Sequence, residues 1–96
     1  MLILITDDIQ TDNIEGKRRL RQVAKLCENH GQRVQFSVFE CDLSYSQYLI
    51  FRRDLINTID KNKDSIRIYR LGSKFKDKIE HYGKKESYDT EGFIFV

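Results

Sequence analysis

Near its start the chain runs Leu2-Ile3-Leu4-Ile5 through Thr6 straight into Asp7 and Asp8, and no other stretch constrains the fold as much. Successive residues of a strand point to opposite sides of a sheet, so a run that is apolar at both odd and even positions asks for cover on both faces. The pattern predicts a strand over Leu2 to Ile9. The apolar run is far too short to span a bilayer, and no basic region precedes it and no cleavage-like site follows it. The chain is therefore expected to be cytoplasmic, with no membrane partner. A chain of 96 residues supports one core rather than two, and 40% hydrophobic against 33% charged residues is the balance of a globular domain rather than a disordered segment.

Helical periodicity follows. Asp12, with Glu15 three residues on, has the spacing of a capping box. Leu20, Val23, Ala24 and Cys27 then recur at i, i+3, i+4 and i+7, which makes them a buried stripe. That stripe places Arg18, Gln22 and Lys25 on the outer face and Arg19 and Arg21 along the two edges, and Gly31 is expected to end the helix. From Arg33 the pattern alternates, with Val34, Phe36 and Val38 in one phase and Phe39, Cys41 and Leu43 in the other. A one-residue slip of this kind implies a bulge or a tight reversal near Ser37 to Phe39. Ser44 with Gln47 caps a second helix whose apolar positions are Tyr48, Phe51, Leu55, Ile56 and Ile59, and "SIRIYRL" reads as a further strand. Two short strands are expected in "KIEHYG" and "GFIFV".

The order strand, helix, strand, strand, helix, strand is the ferredoxin-like βαββαβ pattern, an α+β fold with both helices on one face of an antiparallel sheet and here an additional C-terminal strand. It is read as a single domain over residues 1–96, of which residues 73–96 form a C-terminal extension. Two helices cover only one face of the sheet, so the two-sided first strand predicts a homodimer packed sheet against sheet. The terminal "FIFV" is too short to stand as a free edge and is expected to pair with the second subunit.

The charges are sorted into blocks. Residues 1–16 hold four acids and no base, residues 17–33 six bases against Glu28, and residues 61–85 nine bases against three acids. Basic blocks of this kind either track phosphates or simply solvate the surface, and composition leaves both readings open. Cys27 and Cys41 lack the close spacing of a zinc or redox site and read as small core residues. His30 and His81 read as exposed, and no serine or cysteine nucleophile with a paired base is present.

Alternation sends Asp7 and Asp8 to opposite faces, so a regular strand offers a site only one of them. Asp8 shares the phase of Leu2, Leu4 and Thr6. In a face-to-face dimer it would approach its symmetry mate, and two carboxylates there suit a divalent ion such as Mg²⁺. On spacing alone, the better-supported reading of Asp8 is a strand-end acid that turns the chain into solvent or helps cap the next helix, and spacing does not overturn it.

The stretches "LILITDD", "EGKRRLRQVAKLCENHGQRVQFSVFECDLS" and "DSIRIYRLG" together closely resemble the Cas2 family of CRISPR-associated proteins over roughly residues 1 to 72. The resemblance implies a homodimeric, metal-dependent endonuclease that cleaves RNA or double-stranded DNA, requires Mg²⁺ or Mn²⁺, and partners the CRISPR adaptation integrase in spacer acquisition. It also implies that Asp8 is the catalytic and metal-binding aspartate. Arg18, Arg19, Arg21 and Arg33 would hold nucleic-acid phosphates and Phe39 would shape the site; the residues read by themselves leave equally open that Arg21 and Arg33 pair with Glu28 or Glu40 and that Phe39 is core. Asp7 stands where the family usually has tyrosine, which adds a charge beside the site. Two other readings remain: a non-catalytic DNA-binding bridge within the integration complex, and a stand-alone toxin-type ribonuclease. No run resembles the aromatic signature of an RNA-recognition module.

Overall fold

The structure, a computed structural model, describes residues 1–74 and 77–84. Its elements are β1 (Leu2–Asp8), α1 (Ile14–Glu28), β2 (Gly31–Gln35), β3 (Val38–Asp42), α2 (Tyr45–Thr58) and β4 (Ser65–Gly72). The four strands form one antiparallel sheet in the order β2-β3-β1-β4, which is the α+β, ferredoxin-like arrangement expected. The doubly apolar β1 lies inside the sheet, with Ile5 opposite Phe39 of β3 on one side and Ile68 of β4 on the other. Burial of its apolar surface and full pairing of its backbone hold it there.

Both helices pack on one face. Ile3, Ile5, Phe39 and Cys41 from the sheet meet Val23 and Cys27 of α1 and Phe51 and Leu55 of α2, all at most 2% exposed. Leu4, Thr6 and Asp8 lie in the opposite phase, on the helix-free face, where Leu4 is flanked by Glu40 and Tyr69. The cysteines are free and buried, and Cys41 Sγ donates to Cys27 O at 3.2 Å. Hydrogen bonding with Cys41 and burial push the Cys27 thiol far up, so it stays protonated and inert, in keeping with a core role.

Several local expectations are corrected. The cap of α1 is Asn13, not Asp12. The Asn13 side chain accepts from Gly16 N at 2.8 Å, while Asp12 instead takes the side-chain amide of Gln10 at 3.2 Å. No side chain is tolerated at Gly16, because a Cβ there would lie 1.9 Å from Gln10 O. Gly31 does not end α1 either, since the C-cap is Asn29. Gly31 opens β2, where a Cβ would lie 1.9 Å from Glu40 O, so its role is close approach of two strands. Ile56, expected in the buried stripe of α2, is 42% exposed, whereas the Ser44 and Gln47 capping box is present as read. His30 is partly buried and meets the Phe51 ring edge-on.

The expected reversal is a two-residue turn, Phe36-Ser37, between β2 and β3. Neither residue has a positive φ, so this is not the primed turn that matches strand twist. The turn meets the reversal expected from the phase slip, and the ladder carries a separate irregularity between Arg33 and Gln35, earlier in β2. "KIEHYG" is not a strand. Lys78 Nζ donates to Leu71 O at 2.8 Å, His81 Nε2 bonds Gly83 O at 3.0 Å, and Tyr82 is 83% exposed, so burial does not recruit the segment into the sheet. The "GFIFV" strand, with its pairing to a second subunit, lies outside the described residues.

Candidate nucleic-acid and metal site

The strand register delivers the two acids together. β1 stays paired residue for residue with β4 to its end, Asp7 opposite Ile66 and Asp8 opposite Ser65. Ile66 packs on the core under the helices, so Asp7 points inward and Asp8 outward, as alternation requires. Asp8 is exposed and Asp7 half-buried. Even so, both line one open hollow at the strand end, with Thr11, Lys17, Phe36 and Ser37. The hollow exists because the β2–β3 turn is tied over the end of β1 by the hydrogen bond from Asp7 N to Ser37 O, 3.0 Å long.

Asp7 Oδ2 is buried with no hydrogen-bond partner among the described residues. Burial pushes its carboxyl up, the Arg33 charge pulls it partly back, and the charge of Asp8 raises it again, leaving it at about 6. Asp7 therefore carries a proton in mildly acidic solution, a property the sequence signals only through the inward phase it shares with Ile3 and Ile5.

The four arginines fall in three different environments. Arg18 and Arg21 are exposed on α1. Arg19 instead forms a bidentate pair with Asp64, Nε donating to Oδ2 at 2.6 Å and Nη2 to Oδ1 at 3.2 Å. The Asp64 side chain is fully buried and that of Arg19 only 14% exposed. Asp64 also accepts from Gln10 N at 3.1 Å and Asp60 N at 2.8 Å, so one carboxylate ties the β1–α1 loop, α1 and the α2–β4 loop together. Nothing in the sequence pattern signals this partnership, whose members are 45 residues apart.

Arg33 lies between two aromatic rings, its guanidinium carbon 5.1 Å from the centroid of buried Phe39 and 5.5 Å from that of exposed Phe36, and 3.7 Å separates Nη2 from Glu28. Phe39 thus sits in the core, 0% exposed, and reaches the site only by bracing Arg33. A second open hollow, bounded by Arg21, Lys25, Glu28, Arg33, Leu20 and Phe36, adjoins the acid one.

Among the described residues no three His, Cys, Asp or Glu side chains converge to hold a metal, and no helix is long and apolar enough to cross a membrane.

Comparison with known proteins supplies a family. The family model described as "CRISPR associated protein Cas2" matches residues 1–79. A relative from Chlorobaculum tepidum, named CRISPR-associated endoribonuclease Cas2, is 48% identical over the whole length of both chains. One from Halalkalibacterium halodurans, named CRISPR-associated endonuclease Cas2, is 54% identical over 95% of each chain. Among solved structures, Streptococcus pyogenes Cas2 at pH 6.5 superposes with a TM-score of 0.75 at 43% identity, covering 86% of this chain and 100% of that one.

Proposed function

The chain belongs to the CRISPR-associated Cas2 family, and on that footing we propose that it is an endonuclease acting as a homodimer, with a divalent ion, Mg²⁺ or Mn²⁺, held by Asp8. The observation that carries the reading is the placement of Asp8, an exposed carboxylate at the end of β1 on the helix-free face, in a hollow it shares with Lys17 and Phe36. The substrate is RNA or double-stranded DNA, and the partner is the CRISPR integrase that acts in spacer acquisition.

The donor set fits a hard ion. Mg²⁺ keeps several waters and takes one or two carboxylates beside substrate phosphate oxygens, so one Asp8 from each of two subunits would suffice where the described residues of one chain offer no cage. Such an ion supplies positive charge to the phosphoryl oxygens and a water nucleophile at neutral pH. The chain's own residues do the rest. Asp8 fixes the ion, Lys17 places a cation at the same hollow, and exposed Arg18 and Arg21 on α1 neutralise phosphates further along the strand. Arg33, braced on Phe39, holds the wall of the site. Asp7 adds negative charge beneath Asp8 once it ionises.

Asp8→Asn keeps the side chain's shape and removes the charge that holds a hard cation. We expect it to abolish Mg²⁺-dependent cleavage of labelled RNA and duplex DNA while binding, followed by anisotropy, stays near the parental level. Cleavage at the parental rate in Asp8→Asn refutes the site, and a parent that binds tightly but never cleaves supports the bridging role instead. Sedimentation of the parent at micromolar concentration checks the dimer.

A further inference from the structure

We propose that Phe36 is a base-stacking residue, whose exposed ring takes one unstacked nucleobase of the substrate beside the Asp8 hollow. The inference rests on the nuclease reading above and specifies the substrate further, as a strand single-stranded or locally opened at that point.

A phenylalanine at a two-residue turn has no local explanation, since such turns favour glycine, asparagine and aspartate for their backbone freedom. Packing does not explain it either, because the ring is 65% exposed. Yet its position is fixed. Ser37 O, one residue on, accepts from Asp7 N at 3.0 Å and ties the turn to the end of β1. The Arg33 guanidinium carbon lies 5.5 Å from the ring centroid while itself resting 5.1 Å from the buried Phe39 ring. Phe36 and Leu20 form the common wall of the two hollows, one holding Asp7, Asp8 and Lys17, the other Arg21, Lys25 and Glu28. A strand whose phosphates lie along Arg21 and Lys25 and whose reacting phosphate reaches Asp8 must cross that wall. An aromatic face set between cations at such a crossing binds any base by stacking, without reading its sequence, provided the base is free of its own stack.

The chain contains no tryptophan, so Phe36→Trp introduces a single fluorophore at the proposed contact. In an Asp8→Asn background, which leaves the probe uncut, a mixed-sequence RNA strand should quench that fluorescence, whereas a strand of abasic ribose phosphates of equal length and a duplex closed at both ends by non-nucleotide linkers, which leave no unpaired base, should not. Phe36→Ala should weaken binding of the RNA strand on the order of tenfold and leave the abasic strand and the closed duplex unchanged. Equal quenching by the abasic strand or the closed duplex, or RNA binding by Phe36→Ala within twofold of the parent, overturns the proposal while leaving the nuclease reading intact. A parent that binds none of these probes overturns both.

Discussion

Replacing Asp64 should be far more damaging than its place in a charged loop suggests. Its fully buried carboxylate accepts four hydrogen bonds, two from Arg19 and one each from the backbone N–H groups of Gln10 and Asp60. Asp64→Ala strands both backbone donors and the guanidinium at once. A hydrogen bond to a charged acceptor is worth about 1.5–3 kcal/mol. Because water reaches part of this loop, the low end applies, and losing the two backbone bonds alone costs about 3 kcal/mol. Against a domain stability of roughly 5–15 kcal/mol, that is a lowering of Tm on the order of 15 °C. Asp64→Asn keeps one carbonyl acceptor but turns an amide toward donors, so it should lose somewhat less.

The pH dependence gives a second readout. Burial pushes the Asp64 carboxyl up, but the hydrogen bonds from Arg19, Asp60 and Gln10 and the charge of Arg19 outweigh it, and the net effect is a pKa below the ordinary 3.8. A carboxyl depressed by folding contributes stability that is present above its unfolded pKa and lost as pH falls through the folded one. Urea unfolding followed by far-ultraviolet circular dichroism should therefore show the parent's advantage over Asp64→Asn at pH 7 shrinking once pH drops below 3.8. An Asp64→Ala protein within about 0.5 kcal/mol of the parent, or a parental advantage unchanged down to pH 2, refutes this account of the loop.

Charge reversal at Arg18 and Arg21 should weaken nucleic-acid binding and flatten its salt dependence by about one log–log unit per lost phosphate contact, while reversal at Arg19 should show first as lost stability. Salt titrations that overlay for the Arg18 and Arg21 variants and the parent would assign that face of α1 to ordinary surface. Asp7→Asn in metal-free buffer should stabilise the fold at neutral pH. Folding raises the Asp7 pKa to about 6, so its contribution is most favourable below 3.8 and is lost as pH rises through 6. After discounting for the solvent that reaches this half-buried group, the gain at pH 7 is about 1 kcal/mol and vanishes near pH 4, and denaturant midpoints at the two pH values check it.

What the sequence determined by itself is whatever acts within a few residues of chain. The 3.6-residue spacing of Val23, Ala24 and Cys27 defined the buried face of α1, Ser44 and Gln47 capped α2, and the slipped phase around Ser37 marked a reversal. The doubly apolar β1 implied an interior strand, and the resemblance, not the spacing, pointed to Asp8. The tertiary structure decided everything that depends on the chain returning to itself. Asp12 and Asn13 are both good caps by composition, and the choice fell to Asn13, whose side chain reaches Gly16 N where Gly16 packs beneath Gln10 O. Gly31 looked like a helix stop until Glu40 O came within reach of its absent Cβ. Arg19, placed by periodicity at an edge of the helix just as Arg21 is, was claimed by an aspartate 45 residues away. Asp7 is half-buried and Phe36 is held beside Asp8 because one turn is hydrogen-bonded over the end of another strand. Periodicity records which side of an element faces the core, but ion pairs, close approaches and the protonation of a carboxyl depend on distances of a few ångströms between segments far apart in sequence, and those distances are set only when the sheet closes.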